Sequence, residues 1–347
     1  MTPGGILLSL PAALYGAGVA ARNWLFDRHA LPSRRFDTPV VCVGNITVGG
    51  TGKTPHVEAL VAALEKEHRV ACISRGYGRA TRGFLLVKEG DDPRRVGDEP
   101  AQVKNKFPAV TVAVDENRAR GIERLLHLDP RPGIIIMDDG FQHRGVTPAI
   151  SIVLADYNRL PDADHLLPRG RLREPLHALR RARFIIVTKC PPTLSPAGQR
   201  EIIDRLRPAA GQQVLFTSMH HGAVVPLDGH SACHLSPDAA ILCLTGIARP
   251  APYLRYLETL AGRVVPLAFP DHHYFSARDV RRIVESYRRL PPPACIFTTE
   301  KDATRLATTP LPPGIAANIF YVPVEPRFIT PADALLETII AHARQDQ

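Results

Sequence analysis

The stretch from Pro39 to Leu60, PVVCVGNITVGGTGKTPHVEAL, constrains the chain more than any other. Val40 to Val43 is a short apolar run suited to a buried parallel strand. Gly49, Gly50 and Gly52 then interrupt regular structure. Lys53-Thr54 opens a segment whose apolar residues Val57, Leu60, Val61 and Leu64 fall at helical spacing. Strand, glycine loop and helix start form the context of a phosphate loop. Glycines let backbone N–H groups turn toward one point, and the helix N-terminus adds the positive end of its dipole. Val48, Gly49, Gly50, Thr51, Gly52, Lys53, Thr54 and Pro55 are the nucleotide-binding set. Lys53 would reach the β- and γ-phosphates, and the Thr54 hydroxyl would ligate Mg²⁺. The pattern departs from the usual one at Thr47, where a glycine is expected five residues before Gly52.

Around this stretch, strands and helices alternate. Val70 to Ser74, Phe84 to Val87, Ala109 to Val114, Gly133 to Asp139, Ile150 to Ala155 and Phe184 to Thr188 read as strands, with Asn117 to Leu126 as a helix. The pattern predicts a mostly parallel sheet with helices on both faces, an α/β/α sandwich. Asp156 to Pro175 is a long irregular loop rich in Arg, Pro and Asp, of a length that is usually functional or disordered. Gln213 to Thr217 and Ala223 to Pro226 read as linker strands. A second, smaller α/β unit follows: Ala240 to Thr245, Tyr253 to Leu260, Val264 to Phe269, Ala277 to Leu290, Cys295 to Thr299 and Ile319 to Val324. A last helix, Pro331 to Ala343, could pack on either unit. The expected division is an apolar N-terminal region over 1–30, a nucleotide-binding unit over 31–215, a smaller unit over 216–326 and the last helix over 327–347.

Met1 to Ala21 carries no charged side chain and is followed by Arg22, Arg28, Arg34 and Arg35. No basic residue precedes its apolar part, so it does not read as a secretory signal. Pro11 and several small residues make it a poor membrane span, and an interfacial helix with a basic flank fits better. The net charge is 43 − 34 = +9. Nucleic acid, an anionic membrane or a phosphorylated substrate would each suit that balance. Aromatic residues make up only 6% and are not interleaved with the basic ones, which argues against nucleic acid. The six cysteines form no C-x-x-C pair, and four of them sit in apolar strand-like runs, as reduced buried thiols do.

Several further groups carry chemistry. The apolar run Ile134 to Met137 ends in Asp138-Asp139, where phosphate-loop enzymes place an acidic residue to hold Mg²⁺. Adjacent residues at a strand end point to opposite sides, so one of the two is expected to face the metal. Gly97-Asp98-Glu99-Pro100 opens a helix. Asp98 fits an N-cap, and a carboxylate at a helix mouth beside a phosphate site is also a candidate base. Glu99 joins Thr54, Asp138 and Asp139 as a candidate metal ligand. Asp271-His272-His273 lacks zinc spacing, and from spacing alone His272 reads as a structural histidine. Thr188-Lys189 ends a strand as the base-reading motif of GTPases does, but no Asp follows, so ATP is favoured over GTP. Arg75, Tyr77, Gln142, His143, Arg171 and Arg173 are the candidate substrate contacts.

In order along the chain, VGGTGKTP (48–55), SRGYG (74–78), GDEP (97–100), DDGFQH (138–143), LREP (172–175), Asp271-His272 and TEKD (299–302) resemble the tetraacyldisaccharide 4′-kinase family, the lipid A 4′-kinases of Gram-negative bacteria. The resemblance covers essentially the whole chain. It implies ATP- and Mg²⁺-dependent phosphorylation of the 4′-hydroxyl of a tetraacyl glucosamine disaccharide 1-phosphate. The partners it implies are this glycolipid and the cytoplasmic face of the inner membrane, with no nucleic acid and a monomeric enzyme. It also implies two α/β/α domains hinged by a two-stranded linker, with Asp98 paired to His272 to activate the hydroxyl across the cleft between them. Lys53 and Asp139 complete the expected catalytic set, and Arg171 and Arg173 are candidates for the substrate 1-phosphate. The rival readings are a membrane-surface ATPase switch with water as acceptor, and a nucleic-acid-dependent ATPase.

Overall fold

The computed structural model describes residues 8–233, 235–236 and 238–344. Two sheets carry the chain. The larger has nine strands: β1 (Val40–Gly44), β2 (Val70–Ser74), β3 (Leu85–Val87), β4 (Thr111–Val114), β5 (Ile134–Asp138), β6 (Ile150–Asp156), β7 (Phe184–Thr188), β8 (Gln213–His221) and β14 (Val324–Phe328). Their spatial order is β14-β8-β7-β6-β1-β5-β2-β4-β3. Only the edge strands β3 and β14 run antiparallel to their neighbours. The smaller sheet orders β11 (Arg263–Ala268), β10 (Ala240–Thr245), β12 (Ala294–Thr299), β13 (Ile319–Val322) and β9 (Val225–Pro226).

Every residue of β1 is buried, as a central parallel strand requires. Alternate side chains enter opposite cores. Val41 and Val43 meet Val57, Leu60, Val61 and Leu64 of α2 (Lys53–Leu64) and Leu335 and Ile339 of α9 (Asp333–Arg344). Val40 and Cys42 face the other core, with Ile122 and Leu125 of α4 (Arg118–Leu126) and Ile202 and Leu206 of α5 (Pro196–Leu206). The last helix therefore packs on the larger sheet. The smaller sheet is covered by α6 (Ala251–Leu257), α7 (Ala277–Arg288) and α8 (Glu300–Leu306).

Four details differ from the sequence-based expectation. Ile319 to Val324 is not one strand. Pro323 interrupts it, and the chain passes from β13 in the smaller sheet to β14 in the larger one. Strand β8 extends to His221 and pairs with both β7 and β14, so the exit and return strands close the edge of the larger sheet. Tyr253 to Leu260 includes only the end of a helix, Ala251–Leu257. Asp98 is not an N-cap. Gly97 caps α3 (Asp98–Lys106) at φ +97°, and a side chain there would strike the Gly76 backbone.

The N-terminal helix α1 spans Ser9–Asp27. Of the expected apolar segment, residues 1–7 lie outside the described residues. Among the described residues no helix is long and apolar enough to cross a membrane. One face of α1 docks on the loops at the carboxyl edge of the larger sheet. There the Tyr15 hydroxyl donates to the Arg173 carbonyl at 2.9 Å, Asn23 to Glu174 at 2.9 Å and Arg22 to the Gln142 carbonyl at 2.8 Å. Leu10, Leu14 and Trp24 remain exposed.

Candidate active site

The phosphate loop leaves β1 at the carboxyl edge of the sheet, beside the point where strand order reverses between β1 and β6, the usual ligand position in such sheets. It is braced from behind. Asn45 Nδ2 donates to Thr51 Oγ1 at 2.9 Å, and the Thr188 hydroxyl donates to the Thr51 carbonyl at 2.9 Å. Lys189 Nζ donates to the Gly50 carbonyl and pairs with Asp156 at 2.8 Å. Thr188-Lys189 thus acts as a loop brace. The long Arg-rich segment is an ordered strap: the Val48 N–H donates to the Arg171 carbonyl at 2.8 Å, and the Arg173 N–H to the Ile46 carbonyl at 2.7 Å. Gly52, at φ +85°, caps α2 and delivers Lys53 and Thr54 to its first turn.

The two aspartates at the end of β5 part because Asp138 is the last residue of the strand and Asp139 has left it. Asp139, in the left-handed region at φ +46°, turns to Lys53 at 3.5 Å and to Arg173 at 3.1 Å. Burial pushes its carboxyl up, but these two cations outweigh that and hold it below the usual range. Asp138 is buried, and its Oδ1 has no protein partner. Burial, then the charges of Glu99 and Asp139, push it up to about 7. A buried, unpaired carboxylate oxygen pushed toward neutrality suits a divalent cation, which would satisfy and ionise it. Among the described residues no three acidic, His or Cys side chains form a ready-made cage, so an ion here would draw its other ligands from phosphate oxygens and water. Asp138 fits the metal, and Asp139 organises Lys53 and Arg173.

Across the cleft, Asp98 and His272 already touch, with Nδ1 2.8 Å from Oδ2. Asp98 is also gripped by Arg305, which sequence reasoning missed. Arg305 Nε lies 3.1 Å from Oδ1 and Nη2 2.5 Å from Oδ2, while its Nη1 donates to Asp302 at 2.8 Å. Arg305 is 1% exposed and Asp98 3%. Burial pushes the Asp98 carboxyl up, but hydrogen bonds from His272 and Arg305 override it and hold the carboxyl far below the carboxylate range. On the other side of the ring, Lys301 Nζ lies 3.4 Å from Nε2. Lys301 also faces Glu99 at 3.8 Å. His272 sits at φ +58°, a strained backbone of the kind held at functional sites. Asp302 and Arg305, at i and i+3 on α8, share one face of that helix. That spacing, just beyond the TEKD motif, is the signal that could have found Arg305.

The remaining candidates fall into two groups. Gln142 joins the Lys53 side: its Nε2 donates to the Asn45 carbonyl at 2.8 Å and to Glu174 at 3.1 Å, and Arg173 reaches its Oε1 at 3.4 Å. His143 stands among cations. Burial, then Arg118, Arg22 and Arg75, push it down to about 4. Tyr77 is exposed, with its ring 5.8 Å from that of His272. The Arg171 side chain is exposed, while its backbone carries the strap. Beyond Arg305, sequence reasoning missed Asn45 and the buried Glu174, whose Oε2 accepts from Asn23 at 2.9 Å and pairs with Arg181 at 2.5 Å. It also missed the buried Arg118, whose Nε has no partner.

The family model of tetraacyldisaccharide-1-P 4′-kinase matches residues 5–344. A tetraacyldisaccharide 4′-kinase of Bacteroides fragilis is 45% identical over 344 residues, covering 96% of this chain and 92% of the relative. The protein of the same name from Phocaeicola vulgatus is 43% identical over 335 residues, covering 94% and 92%. Among solved structures, LpxK from Aquifex aeolicus in complex with ATP superposes with a TM-score of 0.75 at 26% identity, covering 98% of this chain and 99% of that one.

Proposed function

This chain belongs to the tetraacyldisaccharide-1-P 4′-kinase family, and from that premise we infer what each part of the cleft does. It is an ATP-dependent kinase that phosphorylates the 4′-hydroxyl of a tetraacyl glucosamine disaccharide 1-phosphate in lipid A biosynthesis. Phosphoryl transfer is mainly positioning and charge neutralisation. Backbone N–H groups of Gly50, Gly52, Lys53 and Thr54 cradle the phosphates, and Lys53, steadied by Asp139, neutralises the γ-phosphoryl group. Asp138, with Thr54 and Glu99, holds Mg²⁺, which when bound screens phosphate charge. Arg173 and Arg171 take the substrate's 1-phosphate or charge developing on the phosphoryl group.

We assign the proton to His272. A carboxylate gripped by Arg305 is a weak base, so Asp98 is better suited to orient than to accept. With Asp98 receiving the Nδ1 proton, the lone pair of His272 lies on Nε2, where the sugar hydroxyl displaces Lys301. The single observation that carries this reading is the 2.8 Å contact between Asp98 and His272, which lie 174 residues apart. The enzyme acts as a monomer at the cytoplasmic face of the inner membrane. The exposed Leu10, Leu14 and Trp24 of α1, followed by basic residues, support peripheral contact there.

The test is incubation with labelled ATP, Mg²⁺ and a tetraacyl disaccharide 1-phosphate, read by lipid chromatography. A labelled lipid is expected, lost in Lys53→Ala and reduced roughly 10²- to 10⁴-fold in His272→Asn. ATP hydrolysis with no labelled lipid would refute kinase function, and full activity in folded His272→Asn would remove the base.

A further inference from the structure

His56 lies three residues beyond Lys53 on α2, and its ring is buried. Each ring nitrogen has a partner. Nδ1 is 2.8 Å from the Gly52 carbonyl oxygen, and Nε2 is 3.0 Å from Thr217 Oγ1. A carbonyl only accepts, so Nδ1 carries a proton, and Nε2 is hydrogen-bonded to the threonine hydroxyl, which also has the Val187 carbonyl 3.5 Å away.

The Gly52 carbonyl and the Lys53 N–H belong to one planar peptide and point in opposite directions. A ring that anchors the carbonyl therefore aims the Lys53 N–H outward, into the mouth of the phosphate loop. The same carbonyl also accepts the His56 backbone N–H at 3.3 Å, and the shorter bond from the ring adds a second hold on the peptide that follows Gly52, a residue at φ +85°. The other end of the ring rests on β8. Thr217 is fully buried there, stands opposite Phe328 of β14, and accepts the Cys190 N–H at 2.9 Å. The exit and return strands of the smaller unit thus meet at the residue that holds the imidazole.

We propose that His56 is a positioning residue for ATP, setting the Gly52–Lys53 peptide and tying it through Thr217 to the strand pair that leads to the smaller unit. This rests on the reading of the loop as the ATP site. No nucleotide contact is asked of His56 itself. Its effect passes through the Lys53 N–H, so it belongs in ATP affinity and not in the chemical step.

The experiment compares wild type with Thr217→Val, Thr217→Ser, His56→Gln and the Thr217→Val/His56→Gln double variant in the lipid kinase assay, with thermal melts of nucleotide-free protein. Thr217→Val keeps shape and deletes the hydroxyl. It is expected to raise KM for ATP roughly 3- to 10-fold, the worth of about one net hydrogen bond, with kcat within about twofold. Thr217→Ser restores the hydroxyl and should restore KM. The double variant should be little worse than His56→Gln alone, because the two residues act in series. An unchanged ATP KM in Thr217→Val, an equal rise in Thr217→Ser, or additive losses would overturn the proposal, as would a lowered melting point with unaltered ATP KM. Lys53→Ala is run alongside. Its loss with a silent Thr217→Val defeats only the positioning role, whereas an active Lys53→Ala defeats the loop assignment.

Discussion

Replacing Arg305 with Met removes a buried guanidinium of similar length and leaves the carboxylates of Asp98 and Asp302 facing each other's field. Three hydrogen bonds to carboxylate oxygens disappear, at 2.5, 2.8 and 3.1 Å. Removing one partner of a buried ion pair typically costs about 3–5 kcal/mol, and two orphaned carboxylates put this case at the upper end. The consequence for catalysis is more specific than the loss of stability. In the wild type Asp98 stays ionised down to strongly acid pH, so its stabilising contribution is complete above the normal carboxylate pKa and is lost only as pH falls below it. Without Arg305, burial acts on Asp98 with only the hydrogen bond from His272 and the charge of Lys301 to oppose it, and the carboxyl rises. A protonated Asp98 no longer receives the Nδ1 proton of His272, and the imidazole loses its orientation. We expect kcat to fall roughly 10²- to 10⁴-fold and its dependence on acid pH to differ from that of the wild type, because protonation of Asp98 is added to that of the His272 base. Arg305→Lys should recover part of the stability but little of kcat, since an ammonium cannot serve both carboxylates as a fork does. The assay is kcat against pH for the three proteins at saturating ATP, with melts to identify the folded fraction. A folded Arg305→Met enzyme with wild-type kcat and pH profile would refute the assignment.

Three further outcomes follow from the same geometry. Asp138→Asn should raise the Mg²⁺ concentration for half-maximal activity more than tenfold while leaving the melting point of the nucleotide-free protein unchanged or higher, because an unpaired buried carboxyl is removed. Titration of activity with Mg²⁺ checks this, and an unaltered requirement would move the metal to Asp139. Glu58, on α2, shares Lys106 with Glu300 of α8, at 2.7 and 3.1 Å. Burial, then Glu300, push Glu58 up to about 7 from 4.5, whereas Lys106, facing two carboxylates, is held charged, so the trio is most comfortable with one shared proton. A carboxyl whose folded pKa is raised loses stability as pH climbs from its unfolded value toward the folded one, and the loss levels off above that. Melting temperature should therefore drop between pH 5 and pH 8, and Glu58→Gln should flatten the drop; an equally steep variant would discount the trio. Replacing exposed Leu10 and Leu14 with Ser should raise KM for lipid more than for ATP and reduce sedimentation with anionic vesicles, and unchanged partition would discount α1 as the contact.

The parts of this molecule that were legible in the sequence share a property: their chemistry is local. Val40 to Val43 reads as a buried strand because four adjacent apolar residues leave no face for water. Val57, Leu60, Val61 and Leu64 read as a helix face because their spacing repeats, and all four are buried together. Gly-Lys-Thr at a helix start needs nothing from elsewhere to be recognised. Boundaries failed where tertiary contacts decide them. Pro323 divides what looks like one strand between two sheets, and the hydrogen-bonding edge offered by β14 extends β8 beyond Thr217.

Two of the residues that escaped notice have a partner far along the chain. Arg305 lies 207 residues from Asp98, and His56 lies 161 from Thr217. Asn45 and Glu174 are ordinary polar residues until the fold encloses them. In a dry interior each such group must find a partner or lose the free energy of its hydration, so the fold itself selects which polar residues can become machinery. The same rule separates Asp138 from Asp139, which the sequence presents as equals. Asp139 has Lys53 and Arg173, while Asp138 keeps one buried oxygen with no protein partner. An unsatisfied group of that kind adds nothing to the stability of the empty protein, and it is best explained by the cation that would complete it. His56 is the converse case. Both of its nitrogens are satisfied, and its worth lies in which peptide it holds still.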